Sequence, residues 1–294
     1  MIKIRVPATS ANLGPGFDCL GLALHIWNEV SFEESDSITY QVTGEGADKL
    51  NHRPINLLTD SFKKVYEVCG KELHGIHIQA HNNILHSSGL GSSAAAIVAG
   101  IYGANEILGA PLDIYALVKL ATEIEGHPDN VAPALLGGLV VSVVTDREII
   151  TRRYEIPALA IVIVKPDVQW QTRTARSVLP DTVSRADAIY NIGRTALVID
   201  TLRNGDLDLL QKVMDDRIHQ PYRLKHIAGG LAAYEAARQL GAAALSGAGP
   251  SIICFVSREK AENAKEELID VFMKQGIQSQ GLITKPSSSG AHKL

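Results

Sequence analysis

Ser88-Gly89-Leu90-Gly91-Ser92-Ser93-Ala94-Ala95-Ala96 passes from glycine and serine straight into alanine, and the helix-favouring run continues through Ile97-Val98-Ala99-Gly100-Ile101. A small-residue loop that opens a helix presents unpaired backbone N–H groups at the positive end of the helix dipole, which is a site for an anion. Glycine lets the backbone approach a phosphate closely, and serine hydroxyls add hydrogen bonds or a metal ligand. No Gly-Lys-Ser/Thr follows, so this is not a Walker A loop. Gly-x-Gly-x-x-Gly is absent as well, which excludes the dinucleotide fingerprint. Taken by itself, the stretch fits a plain Gly/Ser helix cap as well as a phosphate loop.

The surrounding chain narrows the choice. Its 294 residues suit one large domain or two ordinary ones, and 46% hydrophobic with 20% charged residues supports a substantial core. The formal net charge is −4 with both signs interspersed, and no Lys/Arg block stands out. Nucleic acid is therefore not an expected partner, and an anionic ligand must be held by local groups. Cys19, Cys69 and Cys254 are scattered and form no C-x-x-C pair, a pattern of reduced thiols rather than a disulfide frame or zinc site. Residues 1–7 alternate like a strand and lack a signal-peptide apolar region. No run reaches the ~18 apolar residues of a membrane span. A soluble cytoplasmic protein with no membrane partner is expected.

Strand-like patterns cover residues 2–6, 23–32, 38–42, 75–80, 138–144, 158–164, 242–245, 251–256 and 277–283. Helix-like patterns cover 57–68, 92–108, 111–124, 185–202, 206–216, 231–240 and 258–274. Strands come in pairs instead of alternating strictly with helices, which predicts α+β layering and not a doubly wound parallel sheet. A polar stretch at 146–157, between two apolar strands, predicts a boundary dividing the chain into domains 1–155 and 156–294.

Two more small-residue loops accompany the first. In Pro7-Ala8-Thr9-Ser10-Ala11-Asn12-Leu13-Gly14-Pro15-Gly16-Phe17-Asp18, a strand ends at proline, and Asn12 and Asp18 flank a Gly-Pro-Gly turn. This puts an amide and a carboxylate on a rigid loop, although Asn and Asp also cap ordinary turns. Ser246-Gly247-Ala248-Gly249-Pro250-Ser251 lies between two apolar strands and is longer than a hairpin needs. A fourth segment, Glu123-Ile124-Glu125-Gly126-His127-Pro128-Asp129-Asn130-Val131-Ala132-Pro133, ends a helix on two carboxylates and adds His, Asp and Asn. Its hard oxygen donors suit Mg²⁺ beside a phosphate. Helix capping before Val131 is the simpler alternative.

The three glycine loops resemble, in order and spacing, those of the GHMP kinases, a family of ATP-dependent small-molecule kinases. The chain is most similar to the homoserine kinase branch. The likeness rests on Asn12-Leu13-Gly14-Pro15-Gly16-Phe17-Asp18, on Gly126-His127-Pro128-Asp129-Asn130-Val131-Ala132-Pro133, on Thr172-x-x-x-Arg176 before Leu179-Pro180, and on His219-Gln220-Pro221-Tyr222-Arg223. Two segments depart from the branch pattern. Ile84-Leu85-His86-Ser87-Ser88-Gly89 stands where Ile-Pro-Leu-Gly-Arg-Gly is usual, and His226-Ile227-Ala228-Gly229 where Leu-Ile-Pro-Gly is usual.

The resemblance implies a two-domain α+β fold, a ribosomal protein S5 domain 2-like N-terminal domain plus a ferredoxin-like C-terminal domain. It implies ATP and Mg²⁺, a small-molecule substrate, L-homoserine, and a homodimer. ATP phosphates would lie on Ser88, Gly89, Leu90, Gly91, Ser92, Ser93 and Ala94, with Asn56 near the adenine. Ser93 and Glu123 match the Mg²⁺ ligands. Asn12, Asp18, His127, Asn130, Arg176, Arg223 and Gly247 match substrate-binding positions, and Thr172 lies near the transferred phosphate. Asn12, Asp18, Asn130, Thr172 and Arg176 would form the catalytic group. The physics agrees, because a zwitterion needs a carboxylate for its ammonium, here Asp18, and a guanidinium for its carboxylate, here Arg176 or Arg223. Some members of the family use an Asp base paired with Lys, and Asn130 stands where that base would lie. An amide takes no proton at neutral pH, so the substrate hydroxyl would be aligned and lose its proton late, to phosphate or solvent. Asp18 as base is the rival, disfavoured because its carboxylate would be engaged by the substrate ammonium. Alternatives are another small-molecule kinase of this family (threonine, mevalonate-type or sugar) and a catalytically silent nucleotide-binding regulator. The two arginine motifs tell against a sugar, which offers no carboxylate.

Overall fold

The computed structural model describes residues 1–52 and 56–294. The chain starts with β1 (Ile2–Ala11), β2 (Leu20–Glu34) and β3 (Ile38–Gly44), then a single turn α1 (Ala47–Leu50) and α2 (Leu57–Val68). It continues through β4 (Ile76–Asn82), α3 (Ser92–Ile107), α4 (Ile114–Glu125), α5 (Pro128–Leu136), β5 (Leu139–Val144) and β6 (Ile149–Tyr154). The second half holds β7 (Ala160–Pro166), α6 (Thr172–Ser177), α7 (Arg185–Asn204), α8 (Leu207–Val213), α9 (Gln220–Leu224), α10 (Gly230–Leu240), β8 (Ala242–Leu245), β9 (Ile252–Val256), α11 (Ala261–Met273), β10 (Ser279–Thr284) and β11 (His292–Lys293).

The first sheet runs β11-β1-β2-β4-β3, with β5 paired to the start of β2 and β6 paired to β5. Alternation decides which face is covered: Ile4, Val6, Val30, Phe32, Ile78 and Ala80 are buried in the main core with residues of α2 and α3. Lys3, Glu29, Ser31, Gln79 and His81 line a groove on the polar side. The β1–β2 register shifts between Pro7 and Ala8. Proline has no N–H for the ladder, so it sits at such irregularities. The stretch 146–157, expected to be a boundary, is not all linker, since it contains β6. This strand reads as polar because it has a paired neighbour on one side only and is nowhere fully buried.

The second sheet has the order β10-β7-β9-β8 with every pair antiparallel. The β7, α6–α10, β8, β9, α11, β10 sequence is a split βαβ arrangement of the ferredoxin type. Val162, Val164, Ile252 and Cys254 pack with Ala233, Leu268 and Phe272 of α10 and α11. Ile161, Ile163, Ile253 and Phe255, on the other face, join the main core. Burial on both faces explains why β9 is apolar at every position instead of alternating. No helix among the described residues is long and apolar enough to cross a membrane.

Residues 285–294 cross back to the first sheet. They exchange backbone hydrogen bonds with Ala23 and His25 of β2, with Ala134, with Gly138 and with Lys3. At about 1 kcal/mol per bond, these five contacts make a sizeable contribution to stability. A chain ending at Thr284 should therefore lose on the order of 3–5 kcal/mol in urea unfolding. An unchanged midpoint would show that the returning segment is passive.

Candidate active site

Three loops from distant parts of the sequence meet where the two sheets adjoin. The end of β1 supplies Thr9 to Asn12, the segment before α3 supplies Ser88 to Gly91, and the β8–β9 connection supplies Ser246 and Gly247. Ser246 Oγ donates to the Gly89 carbonyl at 2.8 Å and lies 2.9 Å from Ser10 Oγ. Its single proton is thus committed to Gly89, and Ser10 donates to Ser246. The Thr9 N–H donates to the Leu90 carbonyl at 3.1 Å, and the Gly247 N–H to the Ala11 carbonyl at 3.1 Å. Asn12 Nδ2 donates to the Gly247 carbonyl at 2.8 Å, while Asn12 Oδ1 accepts the Asp18 N–H at 3.0 Å. Two glycines are required by this closeness. At Gly89, φ is +79° and a Cβ would lie 2.2 Å from the Ser246 carbonyl oxygen. At Gly91, φ is +68° and a Cβ would lie 2.0 Å from Thr9 Oγ1.

A cavity of about 310 Å³ opens over this junction. Its middle is the N-terminus of α3, where Gly91 is the N-cap and no side chain caps the helix. The first intrahelical bond closes from the Ala95 N–H to the Gly91 carbonyl, leaving the N–H groups of Ser92, Ser93 and Ala94 without a helical acceptor. Ser88, Gly89, Gly91, Ser92 and Ser93 line the cavity. Leu90 and Ala94 do not; both side chains are fully buried in the core, so Ala94 offers only its backbone N–H, while the carbonyl of Leu90 is taken by the Thr9 N–H and its N–H by Ser88. Ser88 is committed within the loop, donating to the Leu85 carbonyl at 2.6 Å and accepting from the Leu90 N–H at 3.2 Å.

One end of the cavity is largely apolar. Val30, Val42, Leu57, Ala80 and Ala99 line it together with the amides Asn28, Asn56 and Asn82 and with His86. Asn56 caps α2, its Oδ1 accepting the Leu58 N–H at 2.9 Å. Sequence reasoning missed Asn28 and Asn82. The available signal was an amide at a strand position, and Asn28 is buried with its Oδ1 accepting from the Asn83 and Ile84 N–H groups.

The carboxylate expected beside Ser93 is displaced by two residues. Glu123 lies on the exposed face of α4 and does not line the cavity. Glu125 does, and its Oε2 accepts the Ser93 hydroxyl at 2.9 Å. Residues two apart on a helix are about 200° apart around its axis, so only one of the pair can face the site. Burial raises the pKa of Glu125 and the Ser93 hydrogen bond partly offsets this. Beyond Gly126 the chain turns into α5, where His127 Nδ1 lies 2.5 Å from Oδ1 of the buried Asp129. Burial pulls the His127 pKa down, but the hydrogen bond and charge of Asp129 outweigh it and the net shift is upward. Asp129 lines the cavity and was not among the expected site residues. Asn130 Oδ1 accepts the Thr9 hydroxyl at 2.8 Å, which leaves its N–H₂ edge as the group available to a ligand.

The other end of the cavity is charged. Arg176 of α6 forms two hydrogen bonds with Asp18, at 2.9 and 3.1 Å. The two groups expected to hold opposite ends of a substrate are thus paired with each other. The Asp18 hydrogen bond raises the Arg176 pKa. Both side chains remain about two-fifths exposed, at 37% and 40%, so the pair is worth only about 0–1 kcal/mol and opens readily. Thr172 stands at the first turn of α6 and lines the cavity with Arg176, Arg223 and Gly247. Arg223 is 2% exposed, and burial followed by the charge of Arg176 lowers its pKa to about 10. All the expected site residues except Leu90, Ala94 and Glu123 line this one cavity.

Comparison with known proteins agrees with this geometry. The family models for the GHMP kinases N terminal domain and GHMP kinases C terminal match residues 56–138 and 198–273. A homoserine kinase of Moorella thermoacetica is 43% identical over 99% of both chains. One of Desulfitobacterium hafniense is 39% identical, again over 99% of both. The crystal structure of homoserine kinase from Cytophaga hutchinsonii superposes with a TM-score of 0.88 at 32% identity, covering 100% of this chain and 97% of that one. The chain belongs to the GHMP kinase family and has its two-domain fold of mixed α and β structure.

The His127–Asp129 pair makes a stability prediction. Because the native pKa of His127 is raised, its charged pairing contributes fully below the unfolded value of about 6.5 and is lost as pH rises through the native value. His127→Asn should therefore cost more stability at about pH 5.5 than at about pH 9 in urea titrations. Equal costs at both would contradict the pairing.

Proposed function

We propose that this GHMP kinase transfers the γ-phosphoryl group of ATP to the side-chain hydroxyl of L-homoserine, giving ADP and O-phospho-L-homoserine. The strongest support is a single cavity that joins an uncapped helix N-terminus to a carboxylate facing two guanidinium groups. The names of the relatives, homoserine kinases at about two-fifths identity over the whole chain, point the same way. In this reading residues 1–155 carry the phosphate loop, and 156–294 add Thr172, Arg176, Arg223 and Gly247. The protein would act in the cytoplasm as a homodimer.

The apolar end with its amides suits a purine base, and the α3 N-terminus suits the phosphates. A zwitterion entering the charged end exchanges partners with the Asp18–Arg176 pair: its ammonium meets Asp18, and its carboxylate meets Arg176 and Arg223. Mevalonate or a sugar has no ammonium to offer Asp18. His127 and Asn130 border the path between this end and the phosphates. The hydroxyl oxygen then bonds to the γ-phosphorus as the bond from that phosphorus to the β,γ-bridging oxygen breaks. The N–H₂ edge of Asn130 donates hydrogen bonds and receives no proton. The hydroxyl proton leaves late, to the transferred phosphate or to solvent. Thr172 adds a hydroxyl beside the transferred group. Such a reaction asks the protein chiefly for alignment and charge neutralisation.

Ser93 and Glu125 fit Mg²⁺, which takes one or two protein oxygens and completes its shell with phosphate and water. Glu125 is a largely desolvated carboxylate held by the Ser93 hydroxyl, and no larger metal-ligating cluster exists among the described residues. When bound, the ion neutralises phosphate charge.

ADP release should be fastest with L-homoserine in a panel that includes L-threonine, L-serine, mevalonate and galactose; a win for mevalonate or galactose would refute the substrate. Glu125→Gln should lower kcat on the order of 10²-fold with its thermal midpoint retained, whereas Glu123→Gln should stay near wild type. Equal losses would refute the Glu125 assignment.

A further inference from the structure

We infer that His219 is a positioning residue for Arg223: its ring links the guanidinium to the first glycine loop and aims the free edge of Arg223 into the cavity. The inference rests on the reading that Arg223 receives the substrate carboxylate.

In the segment His219-Gln220-Pro221-Tyr222-Arg223, the proposed reaction gives a role only to Arg223. His219 is nevertheless fully buried and occupies the N-cap position of α9. Its backbone is fixed first. Asp216 Oδ2 accepts the N–H groups of His219 and Gln220 at 2.9 and 2.6 Å, and Asp216 Oδ1 accepts Asn191 Nδ2 at 2.7 Å. The ring then bridges two loops. Nε2 lies 2.8 Å from the Gly14 carbonyl oxygen, and Nδ1 lies 3.1 Å from Arg223 Nη1.

Donor and acceptor chemistry leaves one assignment. A carbonyl oxygen only accepts and a guanidinium only donates. The proton must sit on Nε2, and Nδ1 must offer its lone pair to Arg223. A doubly protonated ring would set two donors against each other. Burial lowers the His219 pKa in the same sense, Asp216 opposes it and Arg223 adds to it.

Arg223 is held at three of its N–H groups. Nε donates to the Ala175 carbonyl at 3.0 Å, and Nη1 donates to His219 and, at 3.3 Å, to the Gly247 carbonyl. Nη2 has no protein hydrogen bond among the described residues, and the side chain lines the cavity. The ring also stacks on Phe17, with centroids 5.3 Å apart and planes at 24°. Phe17 in turn lies beneath Arg223 at 5.3 Å and Arg176 at 6.0 Å, next to Asp18. His219 therefore sets the guanidinium, the aromatic floor and the first loop together, without reaching the substrate itself.

Two substitutions separate the ends of the ring. In Asn the side-chain oxygen falls near the place of Nδ1 and keeps an acceptor for Arg223. In Gln the amide reaches the place of Nε2, keeping a donor for Gly14 and removing the acceptor. His219→Gln should raise the homoserine KM about tenfold, with kcat and the ATP KM within about twofold of wild type. His219→Asn should keep the homoserine KM within about threefold, although it loses Gly14 and the ring stack. A role in core packing alone predicts that both variants change alike and in step with their thermal midpoints. That outcome, or an unchanged KM in His219→Gln, overturns the inference. Should either variant fail to fold, ¹⁵N chemical shifts of the wild-type ring decide: a proton on Nε2 alone at neutral pH is expected, and one on Nδ1 overturns it. Absence of homoserine turnover in wild type would instead refute the proposed substrate, leaving the ring assignment standing on its own spectrum.

Discussion

The buried hydrogen bonds among Ser10, Ser246 and Gly89 are the constraint on which the rest of the site depends. Both hydroxyls are fully enclosed, and a buried polar group without a partner costs about 1–3 kcal/mol. Separating the loops would orphan these groups together, so the junction closes as a unit. Its closure brings the Ser246 carbonyl against Gly89 and the Thr9 hydroxyl against Gly91, which excludes a side chain at either glycine. It also fixes the distance between the N-terminus of α3, which α2 and the first sheet hold, and the charged residues of α6 and α9. Phosphoryl transfer depends on such fixed separation, because its catalysis is mostly positioning.

Around that junction the protein solves an electrostatic problem locally. With a net charge of −4, it has no general attraction for ATP or a carboxylate. Positive character is concentrated in the free N–H groups at α3, in Arg176 and in Arg223. Arg223 is kept in place by burial, by the ring of His219 and by two backbone carbonyls. Arg176 is held differently, in an exposed pair with Asp18 that is weak enough to open. A fixed guanidinium and a movable one thus share the same end of the cavity, where, in the proposed reading, a zwitterion would satisfy Asp18 and both arginines at once.

Much of this was legible in the sequence, for identifiable reasons. The glycine loops stand out because positive φ and close backbone approach select glycine. The long elements stand out because apolar periodicity marks them, and α2, α3, α7 and α11 lie close to their expected limits. The short helices α6 and α9 were not read as helices, since five or six residues carry too little periodicity and tertiary contacts hold them. Glu123 and Glu125 are equally acidic in the sequence, and only the rotational setting of α4 on the core separates them. Asp129 was hidden for a similar reason, because a turn-forming acid and a buried partner of histidine look alike without coordinates. Ser88, read as part of the phosphate site, lines the cavity with its hydroxyl committed to its own loop.

The central claim is that one cavity reads both charges of an amino acid while presenting its hydroxyl to a nucleotide phosphate. It is tested most directly by comparing kcat/KM of the wild-type enzyme for L-homoserine and for its carboxamide, which keeps the hydroxyl and ammonium but has no carboxylate. Loss of charge-assisted hydrogen bonds worth about 1.5–3 kcal/mol predicts a fall of roughly tenfold to a hundredfold for the amide. Equal kcat/KM values for acid and amide would contradict the account, because Arg176 and Arg223 would then recognise nothing that distinguishes an amino acid.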